Sequence, residues 1–294
     1  MTNTTNRLTV DVAKNVVKKT DSDVRILHRV AQLKDLQLAP RGKGPFRIVG
    51  ILDTETTGID PEQDEIIDLA LVTLEINGVG EIVKIISAQE GLREPSIPIP
   101  PKITAITGIA DADVQGLKFE TAVVEHRLHT ADVLIAHCAS FDIGFVERLI
   151  PSIAGAAWAC SAKDFDWLTA GFDGRKLGHL LNQVGYFNDS HRAMTDVVSL
   201  VHLLAHRLPS GRTVLSDLLD NASCRMTRLE ACGAPYSKRH QLKRRGYSWD
   251  ARAKVWWIEL SPVECDAEED WLRDNIIARK HFDRTSITWR NRHR

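Results

Sequence analysis

The sequence has no run of about 18 apolar residues, which excludes a membrane-spanning helix. Its first stretch, MTNTTNRLTVDVAKNVVKK, has no apolar segment of the kind that marks a secretory signal. Cysteine is sparse: five residues, Cys138, Cys160, Cys224, Cys232 and Cys265, lie scattered without a CxxC pair. An odd, dispersed set argues against a disulfide framework or a zinc site, and predicts reduced thiols in a cytoplasmic protein with no membrane association. Internal repeats and low-complexity tracts are absent as well. What remains is ordinary globular composition over 294 residues, 43% hydrophobic and 26% charged. That is enough for one large domain and a smaller one.

The net charge is only −1, but it is unevenly placed. Residues 234–294 hold 14 Lys and Arg against 9 Asp and Glu, and the rest of the chain holds 24 against 30. The C-terminal segment is therefore a candidate nucleic-acid contact surface, although on charge alone a solvated face is the better reading. Within it, Tyr236, Tyr247, Trp249, Trp256 and Trp257 interleave with Lys238, Arg239, Lys243, Arg244, Arg245 and Lys254. Stacking and phosphate contact with a single strand would use such a mixture. Trp256 and Trp257, side by side in an apolar strand, fit a small core better. The tail from Trp289 to Arg294 reads as basic and loosely held.

Four segments are expected: an N-terminal extension with one helix (1–45), a main domain (46–210), a helical connector (211–233) and a small basic and aromatic α+β domain (234–294). Residues 1–20 look loosely held. Residues 22–36 place Val24, Ile26, Leu27, Val30, Leu33 and Leu36 at helical spacing. The loop 39–45, with two prolines and two glycines, ends that pattern. Strands are predicted at 46–53 and 66–76, then a third at about 80–88 after the turn signal Asn77-Gly78. Helices are expected at about 102–107 and 118–129. A short strand at 133–136 follows, then helices at about 142–150, 161–170, 175–184 and 192–207. A hairpin followed by alternating strands and helices predicts an α/β domain with a mixed sheet.

The chemistry begins with LDTETTG, residues 52–58. Residues i and i+2 of a strand share a face, so Asp53 and Glu55 converge just past the strand's C-terminal end, where open α/β sheets bind ligands. Adjacent carboxylates repel unless a cation neutralises them, and hard oxygen ligands suit Mg²⁺ or Mn²⁺. Two further stretches add to the set. AHCASFD (136–142) puts Asp142 at the opening of a helix. HRAMTD (191–196) puts His191 near the start of another helix and Asp196 one turn into it.

The order DxE (Asp53, Glu55), AHxASFD ending at Asp142, and HxxxxD (His191 to Asp196) resembles the DEDDh 3′→5′ exonucleases. These include the proofreading epsilon subunit of bacterial DNA polymerase III, RNase T and oligoribonuclease. The run Glu65 to Ala70, and Ile103-Thr104 with Thr107-Gly108-Ile109, fit the same family, and the resemblance covers roughly 46–208. Cys138 stands where many epsilon-like members have asparagine. The resemblance implies an RNase H-like mixed β-sheet flanked by helices and a metal-dependent 3′→5′ exonuclease releasing nucleoside 5′-monophosphates. It further implies two Mg²⁺ or Mn²⁺ ions. Asp53 would bridge both, Glu55 and Asp196 complete the shell of the first ion, Asp142 hold the second ion through water, and His191 act as general base. Thr56, Thr57, Gly58, Thr107 and Phe141 are the substrate-binding candidates. The expected partner is a single-stranded or frayed 3′ end of DNA, with RNA 3′-end trimming or a non-catalytic nucleic-acid- or replisome-binding role as alternatives. A polymerase or clamp partner has one weak candidate peptide, Gln32 to Leu36.

Overall fold

The computed structural model describes residues 25–189, 191–278 and 280–294. The main body runs through β1 (His28–Arg29), β2 (Arg47–Thr56), β3 (Ile66–Ile76) and β4 (Ile82–Leu92) to three helices, α1 (Pro101–Thr107), α2 (Asp111–Val114) and α3 (Thr121–Thr130). Then β5 (Val133–Ala136) leads into α4 (Ala139–Leu149), and β6 (Trp158–Cys160) into α5 (Leu177–Gln183), β7 (Tyr186–Phe187) and α6 (Ala193–Ala205). After α7 (Val214–Ser223) come β8 (Met226–Glu230), α8 (Arg239–Arg244), β9 (Ser248–Asp250), β10 (Val255–Leu260), α9 (Cys265–Asn275) and β11 (Asp283–Ile287).

The main sheet has the order β4-β3-β2-β5-β6. β4, β3 and β2 pair antiparallel, and β5 and β6 add in parallel. This is the mixed sheet flanked by helices that the sequence implied. In β3 every residue but Glu75 is buried, because helices cover both faces, so it reads as a nearly continuous apolar run. On one face Val49 and Ile51 of β2 pack with Val197, Leu200 and Val201 of α6 and Leu215 and Leu218 of α7. On the other, Leu52 packs with Leu128 of α3 and Ile143 and Val146 of α4. The hairpin between β3 and β4 forms where Asn77-Gly78 predicted it. The residue with positive φ there is Gly80 (79°), and the Asn77 side chain accepts from the N–H groups of Val79 and Glu81.

Three local expectations are corrected. The helix over 22–36 is not formed within 25–36. There the chain is an extended strap in which β1 pairs with β7, followed by one short turn at Leu33–Asp35. Val30, Leu33 and Leu36 are spaced three apart, and they pin this strap to the main core. That spacing suits a helix equally well, so the pattern misleads. The expectation for residues 1–20 lies outside the described residues. The helix over 161–170 is replaced by turns, held by the Trp167 indole donating to the Ser161 carbonyl (2.7 Å) and the Asp164 carboxylate accepting from Cys160 N–H (2.7 Å). The basic tail is bound down rather than loose. Trp158 N–H donates to the Trp289 carbonyl (2.8 Å) and His293 Nε2 lies 2.7 Å from Asp164 Oδ2. Arg292 donates to the carbonyls of Ala222 and Cys224 and pairs with Glu259 at 3.0 Å.

The stretch expected as a connector holds α7, which buries Val214, Leu215, Leu218, Leu219 and Ala222 in the main core. Its N-cap Thr213 accepts from Ser216 N–H, satisfying one of the free amides of the first turn. The second sheet, β11-β8-β10-β9, is wholly antiparallel. α8 and α9 cover one face of it around Leu229, Leu242, Tyr247, Trp256 and Leu272. Trp256 is thus a core residue, whereas Trp257 is half-buried under the Arg228 guanidinium, 4.6 Å from its ring.

Candidate active site

Alternation along β2 sends Leu52 and Thr54 toward α4, and Asp53 and Glu55, like Ile51, toward α6. The strand does not end cleanly. The β2–β3 register slips between Glu55 and Thr56, a bulge that turns the chain and re-aims the side chains beside it. The Thr57–Glu65 turn is then closed from within. Thr57 N–H donates to the Glu65 carbonyl (2.9 Å), and the Thr57 hydroxyl donates to Asp64 and accepts from Glu65 N–H. A Cβ at Gly58 would collide with the Asp64 carboxylate, which the Thr57 hydroxyl and the Asp60 N–H hold in place.

α6 brings the third acid. Single carboxylate oxygens of Asp53, Glu55 and Asp196 lie within 4.8 Å of one another. Asp142, in the first turn of α4, comes from the other side of β2 and accepts a hydrogen bond from the Thr54 hydroxyl (2.9 Å). Its charge reaches both Asp53 and Glu55. His191 has φ of 72°, a left-handed conformation uncommon for a residue with a side chain. That turn aims its backbone N–H at Asp196 Oδ2 (2.8 Å). Its ring is exposed and makes no hydrogen bond among the described residues.

Burial and mutual repulsion act together on these acids. Burial first, then the charges of Asp142, Asp196, Glu55 and Asp68, hold the Asp53 carboxyl well above the usual carboxylate range. Burial, Asp196, Asp68 and Asp142 push Glu55 up to about 7, against a lowering by Arg192. Burial also raises Asp142, opposed by the Thr54 hydrogen bond, and raises Asp196, opposed by the His191 N–H. Four carboxylates in this state cannot all ionise near neutral pH without added positive charge. A donor set made only of carboxylate oxygens fits a hard divalent cation such as Mg²⁺ or Mn²⁺.

Two residues of this neighbourhood were not singled out as site residues by the sequence. Asp68, 2% exposed and opposite Glu55 across the β2–β3 ladder, accepts from Arg192 Nε (3.1 Å) and from Ala193 N–H (3.3 Å). It thereby ties the start of α6 to the sheet. The signal was a fully buried acid set in a mostly apolar strand.

The predicted substrate-binding residues fall in three places. Thr56, Thr57 and Gly58 follow directly on the acids, with both threonines buried. Thr107 is buried at the end of α1, where its hydroxyl donates to the Ile103 carbonyl and accepts from Ile109 N–H. Phe141 is partly buried beside Phe145, ring centroids 4.9 Å apart, one residue before Asp142. His137 uses both ring nitrogens, toward Ser161 Oγ (2.7 Å) and the Arg175 carbonyl (2.8 Å), and burial pushes its pKa down. At Cys138, desolvation, then Asp142 and Asp53, push the thiol up while Lys163 opposes them. The Cys138 side chain therefore borders the acids.

A sequence model of the exonuclease family, RNase T type, matches residues 51–204, a span that contains all four acids and His191. The chain belongs to this exonuclease family. Among curated relatives of this exonuclease, the DNA polymerase III subunit epsilon-like protein of Rhodobacter capsulatus is 30% identical over 173 residues. That match covers 54% of this chain and 23% of the relative. The PolC-type DNA polymerase III of Thermotoga maritima is 34% identical over 110 residues, covering 37% of this chain and 8% of that protein. The exonuclease chain thus spans less than a quarter of either relative's length. Among solved structures, E. coli exonuclease I in a metal-free complex with single-stranded DNA aligns with a TM-score of 0.49 at 13% identity, covering 78% of this chain and 70% of that one. Exonuclease X with 5′-overhanging duplex DNA aligns at 0.39 and 24% identity, covering 57% and 99%. No helix among the described residues is long and apolar enough to cross a membrane.

Proposed function

We propose that the protein is a metal-dependent 3′→5′ exonuclease acting on DNA 3′ ends and releasing nucleoside 5′-monophosphates. The observation that carries this reading is the meeting of Asp53, Glu55, Asp142 and Asp196, raised together out of the usual carboxylate range at the end of β2. A purely structural set of acids would be paired with cations. Here the one cation acting on Glu55, Arg192, already holds Asp68.

Asp53, Glu55 and Asp196 would hold one Mg²⁺ or Mn²⁺, and Asp53 and Asp142 a second; such ions stabilise the charge that develops on the attacking and leaving oxygens. The protein's own groups do the rest. The His191 imidazole, which makes no hydrogen bond among the described residues, takes the proton from the attacking water. The His191 backbone N–H meanwhile fixes Asp196. Thr54 holds Asp142 in a single orientation. The rigid 57–65 turn and Phe141 flank the position of the terminal nucleotide. The names of the relatives, DNA polymerase III proteins, favour DNA over RNA.

The test is hydrolysis of 5′-labelled single-stranded DNA, duplex, mismatched duplex and RNA with Mg²⁺. Stepwise shortening from the 3′ end, faster on DNA, is expected, with loss in EDTA and in Asp53→Ala. An Asp53→Ala protein that still degrades the oligonucleotides would sink the site assignment. Faster shortening of RNA would leave the chemistry and replace the substrate.

A further inference from the structure

The C-terminal sheet carries its charges in two separate sets. On its strands and on α9 the arginines are paired: Arg228 with Glu230 and Asp250, and Arg273 and Arg284 with Glu269. From 235 to 254, by contrast, the chain has seven Lys and Arg and one acid, Asp250. That acid is already engaged, by Arg228 at 2.9 Å and by the N–H groups of Arg252 and Ala253. Arg245 pairs with Glu268 at 2.8 Å. The other six, Lys238, Arg239, Lys243, Arg244, Arg252 and Lys254, make no ion pair among the described residues.

These six sit on α8, the turn before it and the β9–β10 turn, at the end of the sheet where β9 pairs only with β10. The elements that carry them are packed together. Leu242 of α8 and Trp256 of β10 share the small core, and Tyr247 N–H donates to the Leu242 carbonyl (3.0 Å). Two aromatic rings stand out of the same stretch. Tyr236 is 78% exposed with the Arg239 guanidinium 4.2 Å from its ring, and Trp249 is 49% exposed beside Trp256. Like charges carried on elements packed this closely repel one another, and a polyanion laid across them relieves that repulsion.

We propose that this edge binds the phosphate backbone of the single strand whose 3′ end enters the acid cluster, with Tyr236 and Trp249 stacking on its bases. The partner is single-stranded nucleic acid, read without sequence preference, because every base offers a face to stack. The inference rests on the acid cluster being a site for nucleic-acid 3′ ends.

The test measures binding of 5′-fluorescein oligodeoxythymidylates, from a dinucleotide to a 30-mer, by anisotropy in EDTA. Hydrolysis in Mg²⁺ is followed separately. Wild-type affinity should rise with length. The variant Lys243→Ala/Arg244→Ala/Arg252→Ala/Lys254→Ala, checked for an unchanged melting temperature, should bind the 30-mer roughly 10- to 100-fold more weakly at low salt. Its slope of log Kd against log salt should be shallower by about 3, since each phosphate contact on a single strand contributes roughly 0.7. Tyr236→Ala/Trp249→Ala should weaken binding roughly tenfold and leave that slope unchanged. The ratio of kcat/KM on the 30-mer to kcat/KM on the dinucleotide should fall with the binding. Wild-type affinity and slope in the four-site variant overturn the proposal. If the wild type hydrolyses the dinucleotide while the variant binds the 30-mer normally, the surface assignment fails and the functional reading stands. If the wild type hydrolyses nothing yet binds the 30-mer through this edge, the surface stands and the functional reading fails.

Discussion

Two regions of this molecule leave like charges together, in opposite ways. At the end of β2 four carboxylates meet with little cationic help; toward the free edge of the second sheet, residues 235–254 carry six unpaired cations among the described residues, and their one acid, Asp250, is already engaged. The first set is largely buried, so repulsion is felt strongly and shows as raised pKa values. The second lies in water, where repulsion is spread over a wide surface and screened by salt. A buried knot of acids calls for a small ion of high charge that can enter it. An exposed row of cations calls for an extended polyanion that can lie across it. The first region should therefore respond mainly to pH and divalent metal, and the second mainly to salt.

The largest effect should come from removing an acid without changing its shape. Asp142→Asn keeps an oxygen to accept from Thr54 but cannot ionise. Hydrolysis should fall by about three orders of magnitude or more, on the order of 4 kcal/mol in the barrier. The metal-free protein should melt at a higher temperature, because one member of a repelling set is gone. His191→Ala should slow the reaction by roughly 10²- to 10⁴-fold while the melting-temperature rise on adding Mn²⁺ stays as in the wild type. A His191→Ala protein that loses the Mn²⁺ response would show that the backbone at 191, not the ring, is what matters.

Next comes the pH dependence of the metal-free state. Glu55 titrates at about 7 in the folded protein against 4.5 when free, and burial shifts Asp142 in the same direction. The folded state therefore holds these protons more tightly than the unfolded chain, and stability must fall as they leave. That loss should develop between about pH 4.5 and pH 7 and then level off. Divalent metal should offset it, by about 2.7 kcal/mol at a hundredfold excess over Kd, and more strongly at pH 8 than at pH 6. Differential scanning calorimetry with EDTA or Mn²⁺ at the two pH values checks this. An equal metal effect at both would mean that the acids are not linked to the ion.

Much of the acid site is legible in the sequence because each acid sits where a local signal places it: a strand end, a helix opening, one turn into a helix. β3 is legible to the residue because both of its faces are buried. The contact between Asp68 and Arg192 is not, since it spans 124 residues and nothing local couples the two. The same holds for the tail, where Arg292 and His293 are fixed by Asp164 and Glu259 from distant parts of the chain. The strap at 25–36 fails for another reason. Its three anchors, Val30, Leu33 and Leu36, satisfy a helical spacing while the backbone follows the edge strand β7.

The smallest expected effect bears on that hidden pair. Arg192 is the cation acting on Glu55, and it also donates to Asp68. Its side chain is half exposed, so its attraction is screened and its loss should be modest. Arg192→Ala should lower kcat about tenfold, roughly 1.4 kcal/mol, with little change in KM. Without it Glu55 is held higher still, so metal binding should require a more alkaline solution. The pH at half-maximal Mn²⁺ binding, followed by calorimetry, should move up. Arg192→Lys restores the charge but not the planar donor that meets Asp68. If charge on Glu55 is what matters, lysine brings the metal-binding pH back toward the wild-type value. If the role is only to tie α6 to β3, lysine leaves kcat low and the metal-binding pH never moves in either variant.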